Sequence, residues 1–446
     1  VNERVHLIGI CGAGMSGIAR VLLQRGGAVS GSDLRDDLTA SELRGLGARV
    51  EIGHDAQHLG DAEVVVVSSA VSADNPEVVA AHGAGLPVRT RAAMLARLVG
   101  SGRGVFVAGT HGKTTTTSMI VVASQAAGLD PTFVIGGSLN ESGTNAHAGT
   151  DGVMVAEADE SDRSFLEYEP DIAVITNVEF DHPEEYRDEA DVLATFDRFL
   201  ARRRPGGVAV VCSDDPGGRA LLDRGHDGLI SYGTGADADV RLVPGSEPRV
   251  RIGPHQVGLR LAVPGVHNAL NATATLAVVR ALGLDVERAA EGLTAFTGAA
   301  RRFQRLGAAG GVEVVDDYAH HPTELRATLA AARAVSAGRV VLVVQPHRYT
   351  RTATLGAELG RAAAGADAVI VTDVYGAGER PVPGVSGHLV ADAATAAGAD
   401  VAYVPHLPDI VDALLERVGP GDLVLITGAG DVTQLGPSLL ERLGER

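Results

Sequence analysis

The chain has 446 residues, which at about 150 residues per domain implies several domains and excludes a small disulfide-stapled module. Its 38 Lys+Arg against 56 Asp+Glu leave a net charge of −18, which excludes an extended nucleic-acid footprint, so any phosphate must be gripped locally. Two cysteines, Cys11 and Cys212, cannot build a disulfide framework or thiolate cage and point to a reducing cytoplasm; no apolar run approaches a membrane span, so membrane insertion is not expected.

The first block opens with an apolar strand at 5–10 whose glycines exclude a signal peptide, continues through a strand at 63–67, and ends in a helix near 92–98. Residues 101–104 read as a linker. A second block begins with a strand at 104–108 and a helix at 113–127, then carries strands near 153 and 172 and a helix near 191–202. Residues 239–263 alternate like antiparallel strands, a helix follows at 268–282, and a second boundary is expected near 301–306. The third block repeats the pattern with strands at 312–315, 340–344, 368–371 and 423–426 separated by Ala-rich helices. Such alternation predicts an α/β fold of mostly parallel sheets covered on both faces, with ligands at the carboxyl ends of the strands.

Gly12-Ala13-Gly14-Met15-Ser16-Gly17 follows the first strand and opens a helix, with Asp33 further on. This is the dinucleotide fingerprint in its proper setting: glycines let backbone approach a pyrophosphate, and the helix N-terminus offers N–H donors. The motif does not distinguish NAD from a UDP-sugar. Gly109-Thr110-His111-Gly112-Lys113-Thr114-Thr115 stands between the next strand and helix, and departs from the strict P-loop in its glycine spacing. Its chemistry still fits ATP, with backbone N–H groups for phosphates, Lys113 for the terminal phosphate and the Thr114 hydroxyl for Mg²⁺. Glu157-Ala-Asp-Glu160-Ser-Asp162 and Asp181-His182 then stand at neighbouring strand ends, where their carboxylates can supply the oxygen ligands Mg²⁺ takes. In the third block, Asp316-Asp317-Tyr318-Ala-His320-His321 and Gln345-Pro-His347-Arg348-Tyr-Thr-Arg351 each follow a strand. Neither has zincin spacing, and two arginines three apart can clamp a carboxylate or phosphate.

Together with Pro264-Gly-Val-His267-Asn268-Ala-Leu-Asn271 and Arg301-Arg302-Phe303, these motifs resemble the Mur ligases over essentially the whole chain. The resemblance implies three domains: a Rossmann-like UDP-sugar domain at 1–98, a central P-loop-type ATP domain at 99–303 with a parallel and a small antiparallel sheet, and a Rossmann-like amino-acid domain at 304–446. It implies ATP and Mg²⁺ as cofactors, with Lys113 on the γ-phosphate and Thr114, Glu157 and His182 around the metal. By the same similarity His267, Asn268 and Asn271 face adenine, Asp317 the ribose and Arg302 the phosphates. The Gly12–Ser16 loop, with Ser32, Asp33, His54 and Ser69, takes the UDP-sugar. Tyr318, His320, His347, Arg348 and Arg351 surround the incoming amino acid, Arg351 matching its carboxylate.

Within the family, the 345–351 segment resembles the branch that joins L-alanine to UDP-N-acetylmuramate for peptidoglycan synthesis, acting as a monomer or homodimer in the cytoplasm. His182-Pro183-Glu184-Glu185-Tyr186 and the loop 136–145 depart from the usual pattern. They leave open a paralogue that uses another amino acid or carboxylate in a specialised pathway. The first glycine loop with Asp33, taken alone, also admits an NAD-dependent oxidoreductase, and an ATP-gated regulatory module is the non-enzymatic rival. Amide synthesis through an acyl phosphate requires a base for the amine, and His182, His320 and His347 all have a suitable intrinsic pKa.

Overall fold

The computed structural model describes residues 3–68 and 70–445 and shows a three-domain α/β chain gathered into two compact units. The first unit comprises Val1–Glu179, Glu189–Arg260 and Leu270–Phe296, and holds two sheets. One has five parallel strands in the spatial order Arg49–Ile52, Ala28–Asp33, Arg4–Ile8, Val64–Val67, Val88–Thr90. The order reverses beside Arg4–Ile8, so the crevice at a topological switch point opens above the Gly12–Ser16 loop.

The other sheet has ten strands. Its parallel centre places Arg103–Ala108 between Ile172–Ile175 and Val153–Glu157. The carboxyl ends of those two neighbours therefore flank the glycine loop that leads into the helix Lys113–Ala126. Both margins turn antiparallel, through Val240–Val243, Arg249–Ile252 and His255–Gly258 at one end and Thr132–Val134 with Ala146–His147 at the other. The antiparallel expectation for 239–263 holds to Gly258. Residues 259–263 lie outside the strands, and Val240–Val243 also pairs in parallel with Leu229–Gly233.

The second unit, Phe180–Asp188, Leu261–Ala269 and Thr297–Arg446, holds a six-stranded sheet ordered Gln304–Ala309, Val312–Asp317, Leu423–Thr427, Val340–Val344, Ala368–Val371, Val401–Tyr403. Val340, Leu342 and Val344 pack into one apolar cluster and Val341 and Val343 into another, so helices cover both faces of this Val-rich strand. Gln304–Ala309 pairs antiparallel to Val312–Asp317 with a bulge between Arg305 and Gly307. The sequence reading expected a boundary there; a glycine-containing edge strand with little β-branching carries no periodic signal. Likewise the predicted linker at 101–104 is shorter than expected, because Arg103 and Gly104 already belong to a strand. Among the described residues, no helix is long and apolar enough to cross a membrane.

Candidate active site

The first glycine loop leaves strand Arg4–Ile8 and enters the helix Ala13–Gln24, which has no side-chain cap and no acidic residue in its first turn. Its opening N–H groups thus lack the usual internal acceptors. Gly12, Ala13, Gly14 and Met15 line a cavity of about 260 Å³ shared with Ser68, Arg91, Gly136, Glu157 and Asp159. Asn145, the last residue of the divergent 136–145 loop, donates to Ala13 O at 2.8 Å and to Ser16 Oγ at 3.2 Å. The loop is therefore held by the neighbouring domain. Asp33 is buried and accepts from the N–H groups of Cys11 at 2.9 Å and Arg35 at 3.1 Å, which fixes the loop's shape from below. Ser32 and His54 lie 3.1 Å apart, whereas Ser69 falls outside the described residues.

The second loop carries charge where the first carries none. Gly109 has φ +138° and a Cβ there would run into the Thr176 hydroxyl, so only glycine fits between the two strand ends. Gly112 caps the helix in the left-handed region, and Asn271 lies close enough to touch a Cβ built on it. Lys113 Nζ donates at 2.8 Å to both Glu160 oxygens and at 2.7 Å to Gly109 O. Burial alone would push this ammonium's pKa down, but the facing Glu160 carboxylate raises it, so Lys113 is charged. Thr114 Oγ1 donates to Glu157 Oε2 at 3.2 Å, and Glu157 Oε1 accepts from Gly136 N at 2.6 Å. His111 Nε2 faces Glu179 at 3.1 Å, and the Thr110 hydroxyl accepts from Glu179 N at 2.9 Å. Thr115 is buried on the helix beyond Thr114.

A hard divalent cation fits this corner of the first unit. The Thr114 hydroxyl and the Glu157 carboxylate converge as oxygen donors, and a Cβ on Gly136 would come within 3.0 Å and 3.1 Å of the two Glu157 oxygens, so a glycine keeps the space open.

In the second unit, His182 adopts φ 56°, and its Nδ1 lies 3.2 Å from Glu184 Oε1. Its Nε2 stands 3.6 Å from Asp181 Oδ2, so both ring nitrogens face carboxylates. Asp181 is buried and accepts from Arg351 Nε at 2.8 Å and Nη2 at 3.1 Å, while Arg351 Nη1 donates to His347 Nδ1 at 3.1 Å. The resemblance matches Arg351 to the substrate's carboxylate; here its fork is filled by Asp181. Arg348, at φ 65°, is the more accessible cation, its side chain 35% exposed and 3.1 Å from Glu184. Tyr318, His320, His347 and Tyr375 form a row of ring contacts with successive centroids 5.3, 5.6 and 5.9 Å apart. His320 Nδ1 donates to Tyr318 O at 2.9 Å, which leaves its Nε2 as the acceptor nitrogen. Burial depresses the pKa of His320 to about 4 and of His347 to about 3, so both are neutral near pH 7.

The residues that the resemblance matches to the nucleoside divide by element. His267 and Asn268 start the helix Val266–Leu282 on which Asn271 also lies, Asn268 Nδ2 donates to Pro264 O at 2.7 Å, and burial lowers His267 to about 4. Asp317 accepts from Phe303 N at 2.7 Å and Ala319 N at 2.8 Å, yet burial still lifts it to about 6. Arg302 stands over the Tyr318 ring, 4.8 Å from its centroid, and 3.8 Å from Glu324. Glu160, read from sequence among the candidate oxygen ligands, is instead the partner of Lys113. Two residues of these sites were not singled out from sequence: Arg91 is the cation in the first cavity, and Glu77 gathers Ser32 and His54. Arg91 was legible in principle, because it opens a helix directly after a strand's carboxyl end.

Comparison with known proteins matches three family models in succession: Mur ligase family, catalytic domain over residues 4–103, Mur ligase middle domain over 107–279, and Mur ligase, glutamate ligase domain over 301–430. A UDP-N-acetylmuramate--L-alanine ligase of Acidothermus cellulolyticus is 50% identical across 99% of this chain and 95% of its own length. The protein of the same name from Mycolicibacterium smegmatis is 48% identical across 99% of this chain and 95% of its own length. The crystal structure of UDP-N-acetylmuramate-alanine ligase MurC from Thermotoga maritima superposes with a TM-score of 0.81 at 29% identity, covering 99% of both chains. Three consecutive domain models and relatives at half identity over nearly the full length leave one conclusion: this chain belongs to the Mur ligase family.

Proposed function

We propose that this chain is an ATP-dependent carbon–nitrogen ligase that joins L-alanine to the lactyl carboxylate of UDP-N-acetylmuramate, in the cytoplasm, for peptidoglycan precursor synthesis. The observation that carries the reading is the 50% identity, over nearly the whole chain, to a relative of that name. Its domains divide at 98/99 and 303/304: the first holds the UDP-sugar, the second ATP, the third the amino acid.

Phosphorylating a carboxylate with ATP brings two anions together, and at about 4 Å and an effective dielectric near 20 their repulsion is about 4 kcal/mol. Lys113 offsets it: the ammonium that Glu160 now holds takes the γ-phosphate. Thr114 and Glu157 are the residues of the first unit that would hold Mg²⁺, which when bound neutralises phosphate charge. The resulting acyl phosphate gives the amine a leaving group that oxide could never be. His320 Nε2, the free lone pair in the aromatic row, takes the amine's proton, and Arg348 meets the amino acid's carboxylate. Arg351 holds Asp181 and His347 in place around it. His267, Asn268 and Asn271 bind adenine, with Asp317 on the ribose and Arg302 on the phosphates. Orientation of the reacting groups supplies roughly 7–11 kcal/mol through effective molarity.

The test is phosphate release measured with UDP-N-acetylmuramate and each amino acid in turn. L-alanine should be preferred, glycine and L-serine should be poorer substrates, and D-alanine should fail. A dicarboxylic or large amino acid as the best acceptor would assign the chain to another branch.

A further inference from the structure

The helix Tyr349–Ala363 starts between Arg348 and Arg351, and its start is not built by its own residues. Arg348, the residue before it, has φ 65°, a conformation costly for a non-glycine residue unless its surroundings impose it. Nor does its side chain cap the helix, whose first N–H groups need acceptors from elsewhere.

Those surroundings are one loop of the same unit. After the strand Ala368–Val371 the chain makes a loop over 374–386, and Asp373 ties its ends together, Oδ1 accepting from Val374 N at 2.8 Å and Gly387 N at 2.9 Å. The stretch 375–379 meets each residue from Pro346 to Thr350 in turn. Tyr375 N donates to Pro346 O at 2.9 Å, the Tyr375 ring stacks on His347, and Arg348 N donates to Tyr375 O at 2.8 Å. A Cβ on Gly376 would stand 3.0 Å from the Tyr349 ring, so the backbone lies directly against it. Glu379 completes the contact: Oε2 accepts from Thr350 N at 3.0 Å and Oε1 from the Thr350 hydroxyl at 2.6 Å.

Glu379 is thus the cap that Arg348 does not supply, and it puts a negative charge at the positive end of the helix. The same Oε1 stands 3.9 Å from Arg348 Nη1, whose nearer partner is Glu184 at 3.1 Å. Glu379 therefore holds Arg348 in two ways, through the backbone that follows it and through its guanidinium. A half-buried arginine has many rotamers to lose on binding a ligand, and an anion pinned to the helix start removes much of that freedom beforehand.

We infer that Glu379 is a positioning residue: it fixes the start of this helix and the guanidinium of Arg348, so that Arg348 is in place before the amino acid's carboxylate arrives. The inference rests on the proposed role of Arg348 toward that carboxylate and adds what holds Arg348 there.

The test is a double-mutant cycle on KM for L-alanine in the full chain, at saturating ATP, Mg²⁺ and UDP-N-acetylmuramate. It compares the wild type, Glu379→Ala, Arg348→Ala and the double variant. Glu379→Ala should raise KM for L-alanine roughly ten- to a hundredfold, with KM for ATP within about twofold of wild type. In the Arg348→Ala background the same change should add less than about twofold, because nothing remains for Glu379 to position. Losing the cap lowers Tm in both backgrounds alike, so Tm reads the structural role and the KM cycle reads the positioning one. If Glu379→Ala does not fold, Glu379→Gln runs the same cycle with a smaller rise in KM, since its amide oxygen still accepts from Thr350 N but carries no charge. Additive KM effects, an unchanged KM in a folded Glu379 variant, or an equal rise in KM for ATP would overturn the inference alone. An Arg348→Ala variant with unchanged KM for L-alanine would overturn the reading beneath it.

Discussion

The two glycine loops begin alike and end differently. Each leaves a parallel strand, turns on glycines and opens a helix without a side-chain cap. The first presents bare backbone, with Arg91 supplied from another helix, whereas the second puts Lys113, Thr114, Glu157 and Glu160 into mutual contact. A bare helix terminus suffices to hold a pyrophosphate that does not react. Moving a phosphoryl group requires charges held in place before the substrate arrives, because reorganising them at the transition state would cost the rate they provide. The arginines three residues apart repeat the contrast. Arg351 is committed to Asp181 and His347, and Arg348 is half free.

The largest expected effect separates the loops outright. Lys113→Ala should lower kcat about 10³-fold or more, while calorimetry finds UDP-N-acetylmuramate binding nearly intact. Loss of both in a chain still folded by circular dichroism would mean that the loops are not independent. The arginines should part next. Arg351→Ala strands a buried Asp181, so it should destabilise the fold by about 3–5 kcal/mol, read as a fall in Tm. Arg348→Ala should instead raise KM for the amino acid by the equivalent of about 2–5 kcal/mol, with Tm unchanged. Equal Tm losses would erase the distinction.

Gly14→Val tests the bare loop. A Cβ there lies 2.9 Å from Arg91 Cδ, so the branched side chain must displace that arginine and block the backbone. UDP-sugar affinity should fall about 10²-fold, with ATP binding spared. Glu157→Gln should act on the second loop alone by raising the Mg²⁺ concentration at half-maximal rate, since a neutral amide is a weaker ligand for a hard cation. An unchanged Mg²⁺ dependence would return Glu157 to a purely structural role.

The smallest effect concerns pH. His267 at about 4, His320 at about 4 and His347 at about 3 lie below their usual 6.5, so the stability tied to their neutral forms is present above pH 6.5 and is lost as pH falls through 4. Asp317, raised from 3.8 to about 6, works the other way, losing its contribution as pH rises through 6. Three groups against one should make Tm fall between pH 6.5 and 4. His320→Asn should flatten that slope, and an unaltered slope would show that His320 is not desolvated.

Legibility followed the range of the physical signal. Strands such as Val64–Val67 and Val340–Val344, and the helices behind the glycine loops, declare themselves within a few residues, through β-branching, periodicity and glycine punctuation. Gln304–Ala309 does not, because a bulged edge strand is defined by its partner rather than by its own residues. The site divides in the same way. Lys113 and Thr114 stand in a contiguous motif, whereas Glu160, 47 positions on, becomes the partner of Lys113 only when Arg103–Ala108 and Val153–Glu157 pair, and Glu77 reaches His6 across 71 positions. Arg351 shows the opposite limit. Its motif was legible, but the Asp181 that fills its guanidinium fork lies 170 positions away.

On the proposed function, the charged loop turns over ATP only in service of the ligand on the bare loop and the amino acid. The direct measurement is release of ADP and phosphate with Mg²⁺, with UDP-N-acetylmuramate and L-alanine supplied together, singly, or not at all. Sustained release is expected only when both are present, with one amide formed per ATP consumed. Equal hydrolysis without either acceptor, or phosphate release without amide, would contradict it.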